Sequence, residues 1–152
     1  MAITTGQARA QIVHDLGAAT DRIALAVASL GAAYELLDEL TADRLEADLF
    51  RPVQRALGRA KRTNAEFAAR HRLTVRDGTE PSPGLPSQGV NAFVNGAVVA
   101  ATDASRLIAE LQDSMLPIEF GDPELRSGLA DARELVDQLP AAARDFLRTL
   151  GR

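Results

Sequence analysis

Apolar side chains recur along this chain in alternating steps of three and four. The first series is Ile12, Leu16, Ala19, Ile23, Ala26, Leu30, Ala33, Leu37 and Leu40. That spacing is the seam of a helix packed in a bundle, and it predicts a first helix over about 5–40. Val13, Val27 and Tyr34 widen its inner face. A second helix is expected over about 43–73, with Leu45, Leu49, Val53, Ala56, Leu57, Ala60, Phe67 and Ala68 inward. Asp43 and Glu46 have capping-box spacing at its start. Pro52 lies inside this pattern and should kink the helix, because proline has no N–H for the carbonyl four residues back. A third helix is expected over about 88–116, its seam made by Val90, Val94, Ala97, Ala101, Ile108, Leu111 and Met115, with Pro117 ending it. "GDPE" then opens a fourth helix over 123–150. Asp122 is the N-cap, Pro123 stands in the first turn, and Glu124 lies at the positive end of the dipole. Leu125, Leu129, Ala132, Val136, Leu139, Ala143, Phe146 and Leu150 face inward, and Pro140 should bend the helix.

No period-2 run of strand formers interrupts this pattern. The fold class is therefore all-α, an antiparallel four-helix bundle occupying residues 1–152 as one domain. Very short turns join helices 1 and 2, and helices 3 and 4, so each pair is a hairpin. The Pro/Gly-rich loop 74–87 is different. Extended, it reaches ~45 Å, about the length of a thirty-residue helix. An up-down-up-down bundle is the favoured connection, since a ferritin-like crossover between helices 2 and 3 needs nearly full extension. The crossover is the alternative.

Composition narrows the chemistry. The 152 residues include no cysteine, which excludes disulfides, thiolate nucleophiles, zinc–thiolate sites and iron–sulfur clusters. Only 4% are aromatic, with no tryptophan, so aromatic cofactor boxes are not expected and no cofactor is assigned. The N-terminus lacks the basic-then-apolar plan of a signal peptide, and no apolar run has the length of a membrane span. The expectation is a cytoplasmic protein without a membrane partner. A net charge of −4 argues against general nucleic-acid binding, while leaving room for a local anion patch. Glu-x-x-His pairs, which a di-metal bundle places in its core, are missing from the sequence. Phosphate loops and nucleophile elbows are missing too. No metal site and no catalytic centre are expected.

The two histidines need separate treatment. His14 points almost opposite the seam of helix 1 and reads as a solvent-facing side chain. Its setting, "HDL" on an amphipathic helix, resembles the phosphoacceptor box of histidine kinases and histidine phosphotransferases. That resemblance implies an exposed imidazole at His14 oriented by Asp15. It spans three residues, and Gly17, Ala18 and Ala19 follow where the box has a basic residue and a proline. His71 lies near the end of helix 2, suited to interact with the dipole there, or to form a buried register-fixing pair with Asn64.

Two surfaces remain. Between Ile23 and Tyr34 helix 1 is apolar on every side, and such a helix is covered on every side. Its outer stripe runs through His14, Ala18, Leu25, Ala28, Ala32 and Leu36, flanked by Gly17 and Gly31 with Ala10 and Ala24. These small residues admit a second helix, so a homodimer through helix 1 is expected. On helix 2, Arg44, Arg51, Arg55, Arg59 and Arg62 project opposite the seam, with Asp48 and Glu66 the only acids nearby. This stripe suits an acidic protein partner or another anion; without interleaved aromatics nucleic acid fits it poorly. The sequence thus reads as a non-catalytic scaffold or adaptor acting through protein contacts. A phosphotransfer protein using His14, and a small-ligand-binding bundle with the proline-rich loop as lid, are the alternatives.

Overall fold

The computed structural model describes residues 2–78 and 80–150. Helix α1 spans Thr5–Tyr34. Thr4 and Gln7 cap its start reciprocally: the Gln7 N–H donates to Thr4 Oγ1 and the Thr4 N–H to Gln7 Oε1, both at 3.0 Å. From Ile12 to Ala33 every seam position expected from the periodicity is buried. The helix stops at Tyr34 rather than near Leu40. The Asp38 carboxylate accepts the Thr41 N–H at 2.8 Å and opens a new helix, α2, at Glu39–Leu45. The cap expected at Asp43 is thus at Asp38. Leu40, expected in the seam, is 76% exposed.

The chain then widens into a π turn at Glu46–Phe50 and continues as α3, Arg51–Arg70. The Arg51 N–H bonds the Glu46 carbonyl, five residues back. Placing one extra residue in the turn before Pro52 relieves the missing donor, so the expected kink takes the form of a π bulge. At the other end, Arg72 adopts a left-handed conformation (φ 56°) and the Leu73 N–H returns to the Ala68 carbonyl at 2.8 Å. This is a Schellman closure built without glycine.

Helix α4 spans Val90–Asp113, preceded by a 3₁₀ turn at Pro86–Gln88. Met115, expected in its seam, is left-handed (φ 67°) and 46% exposed; the left-handed turn carries it off the helix. A single turn, α5 (Leu116–Glu119), follows. Asp122 then caps α6 (Pro123–Asp137), accepting the Leu125 N–H at 2.8 Å. The bend expected at Pro140 is a break at Gln138, after which α7 covers Leu139–Leu150.

Packing settles the connection. α1 lies chiefly against α4 and α3, and α6 against α3 and α4. α3 and α4 therefore face each other across the bundle diagonal. The chain ends fix the directions. Arg9, near the start of α1, bonds the Phe120 carbonyl beyond the end of α4. Arg70, at the end of α3, bonds Asp122 at the start of α6. Every adjacent pair is antiparallel, while α3 and α4 run the same way. Residues 74–78 climb from the end of α3 back along the groove between α1 and α3, bringing Gly78 against Asp21. The favoured up-down-up-down order is thus replaced by the crossover. Two antiparallel neighbours of α1, reached in succession, require the chain to return the full length of the bundle.

Candidate functional site

Three of the five expected arginines converge on one groove between α3 and α6. Arg55, Arg59 and Arg62 line it together with Gly58, Asp131 and Glu134. Gly58 makes the room: the α3 surface has no side chain at this position, and the Arg62 guanidinium lies 3.9 Å from where a Cβ would stand. Arg59 is the structural member. Its Nε donates to Asp131 Oδ2 at 3.0 Å, tying α3 to α6. Among the described residues, Arg51, Arg55 and Arg62 have no carboxylate within ion-pair distance. Arg44 is not part of the groove. It bonds Thr149 Oγ1 at 2.7 Å and sits over the Phe146 ring, holding the start of the α2–α3 rod to α7.

His71 forms a cluster that the sequence did not reveal. Its ring lies 4.6 Å from that of buried Phe67, and its Nε2 is 3.1 Å from Asp122 Oδ2. Arg70 grips the same carboxylate through two bonds of 2.8 and 2.9 Å. Asp122 therefore caps α6 and clamps the end of α3 at once. Its burial favours the neutral acid. Arg70, the Leu125 N–H and His71 outweigh that and hold the carboxyl at about 2. The cap itself was readable in "GDPE"; its partners, 52 and 51 residues away in sequence, carry no local signal.

The alternative pairing of Asn64 with His71 does not form; His71 stays at the α3 C-terminus and meets Asp122 instead. Asn64 turns to α1 and donates from Nδ2 to the Val13 carbonyl at 3.2 Å. It is buried, and among the described residues its Oδ1 has no hydrogen-bond partner. His14 is exposed, as its position opposite the seam requires, and it faces the strap formed by residues 74–78. Asp15 does not orient it: the Asp15 carboxylate accepts from Gln11 Nε2 at 2.7 Å. Among the described residues, no three His, Asp or Glu side chains gather as metal ligands would.

The outer stripe of α1 is divided. Gly17, Ala18 and His14 lie beneath the strap. Leu25, Ala28, Gly31 and Ala32 are half-buried, and Leu25 and Ala32 pack on the core. Leu36 is exposed, between Tyr34 and Leu40, which are also exposed. By length and composition α1 could cross a membrane; in this fold its apolar seam is the wall of the core. The chain matches no protein-family model, no curated protein and no solved structure.

The Asp122 clamp gives a pH prediction. Its folded pKa is depressed, so its stabilisation is complete above the usual carboxylate range near 4 and is lost as pH falls through about 2. Acid titration of the wild type should show stability falling in that window. Asp122→Asn should flatten the slope there, and Asp122→Ala should lower stability at neutral pH by about 1–2 kcal/mol through loss of the cap. Chemical denaturation across pH measures both.

Proposed function

We propose that this protein is a helical interaction module that holds an acidic protein segment in the groove between α3 and α6. One observation carries the reading. In a chain of net charge −4, Arg55 and Arg62 flank a glycine-floored groove and have no ion-pair partner among the described residues. Guanidinium groups are weakly hydrated and pair with carboxylates through two parallel bonds, so they suit a protein interface. Asp131 and Glu134 in the same groove oppose a phosphate backbone, which carries unbroken negative charge. A peptide that alternates acidic and neutral residues avoids them.

Fluorescence anisotropy with a glutamate-rich helical peptide tests this reading. Binding should weaken steeply with salt and fall at least about tenfold, or 1.4 kcal/mol, in Arg55→Glu/Arg62→Glu. Arg106→Glu, on α4 and paired with Glu110, should bind as wild type. Equal loss in both variants, or stronger binding of duplex DNA than of the peptide, would contradict the reading.

A second reading, self-association through α1, is favoured by Tyr34, Leu36 and Leu40, exposed together at the turn into α2. Light scattering should then show a dimer at micromolar concentration that Leu36→Asp/Leu40→Asp converts to monomer. A monomeric wild type removes this reading and leaves the groove reading intact.

A further inference from the structure

The crossover strap does not lie flush on the helices beneath it. Between Val75, Arg76, Asp77, Gly78, Glu80 and Pro81 and the facing surfaces of α1 and α3 is a cleft of about 530 Å³. A second hollow of about 370 Å³ continues it toward His14 and shares Gly17, Asp21, Asn64 and residues 75–78 with it. This size is ordinary for a small-molecule site. Gly17 opens the floor, since its missing side chain would stand 3.8 Å from Asn64 Nδ2.

The lining is charged in both senses. Asp21, Asp77 and Glu80 contribute carboxylates, and Lys61 and Arg76 contribute cations. Among the described residues, none of these five has an ion-pair partner. Asn64, 3% exposed, lines both hollows, and among the described residues its Oδ1 finds no hydrogen-bond partner. Buried polar groups are rarely left unmatched, and an orphan in a cleft wall points to a donor that arrives from outside.

The geometry points to a binding site for a small zwitterion, an α-amino acid or short peptide carrying one ammonium and one carboxylate. A simple anion would face three carboxylates, and a diamine would face Lys61 and Arg76. Only a ligand with both charges answers the whole lining. Its ammonium goes to the Asp21 and Asp77 side and supplies the N–H that Asn64 lacks; its carboxylate goes to Lys61 and Arg76. The strap is then the cover of the site, and the length of chain needed for the crossover serves recognition as well.

Saturation-transfer NMR on the full chain, with pools of common L-amino acids and L-alanyl-L-alanine, tests this, followed by calorimetry on any hit. Propionate and propylamine serve as single-charge controls. At least one zwitterion should bind saturably. The affinity should fall at least about tenfold in Asn64→Leu, and also in Asp21→Asn, whose exposed site leaves folding undisturbed. Arg55→Glu/Arg62→Glu should bind the zwitterion unchanged, which separates this site from the α3–α6 groove. No zwitterion binding up to about 10 mM overturns the proposal. So does equal binding of a single-charge control, or binding that survives both cleft variants.

Discussion

Small buried side chains line both the longest helix and its main neighbour and set how closely the two pack. α1 buries Ala19, Ala26 and Ala33, and α4 buries Ala97, Ala100, Ala101 and Ala104. Their contact is the most extensive in the molecule. Short side chains let helix axes approach toward the near end of the usual 8–10 Å range. On α1 they alternate with the larger Ile12, Leu16, Ile23 and Leu30, and on α4 Phe93, Ile108 and Leu111 lie toward the two ends. With α4 committed to α1 along its length, α3 and α6 close the opposite side. There Gly128 packs directly on Thr63, without room for a methyl group, and Arg59 and Asp131 link the same helices at the surface.

This arrangement has a consequence for the chain path. α1 is antiparallel to both α3 and α4, so α3 and α4 run parallel and the segment between them must travel the length of the bundle. A surface groove of α1 is roofed as a result. The roofed part is where the cleft with Asn64 lies; the unroofed part runs out to the turn that carries Leu36. Topology, rather than any motif, decides which patches of α1 remain available to a partner.

The seams were readable because burial follows the helical repeat: from Ile12 to Ala33, and from Leu125 to Phe146, the spacing alone picked out the core. The breaks between helices were harder. Pro52 and Pro140 announced theirs through the lost N–H. Asp38 did not stand out, because an acidic side chain near a helix end is common and only its bond to Thr41 makes it a cap. Leu40 and Met115 kept the apolar period while the backbone turned away beneath them. Periodicity also does not encode which neighbour a helix chooses, so the crossover stayed an alternative. The arginine stripe was visible as composition, but its division into Arg59 as a tie, Arg44 as a brace for α7, and Arg55 with Arg62 as cations unpaired among the described residues depends on residues far along the chain. The Arg70–Asp122–His71 clamp and the orphaned Asn64 oxygen depend on long-range contacts in the same way.

The most direct test of this architecture is a pair of distances. The native chain has no cysteine, so cysteines introduced for spin labels report without ambiguity. One variant carries labels at Gly6 and Asp113, a second at Gly6 and Asn91, and pulsed electron resonance measures each pair. With α4 antiparallel to α1, the 6–113 distance should be short. The 6–91 distance should be at least about the length of α4 between positions 91 and 113, roughly 33 Å at 1.5 Å per residue. A short 6–91 distance with a long 6–113 distance would mean that α4 runs parallel to α1. The strap, its cleft and the topology that creates them would then be wrong together.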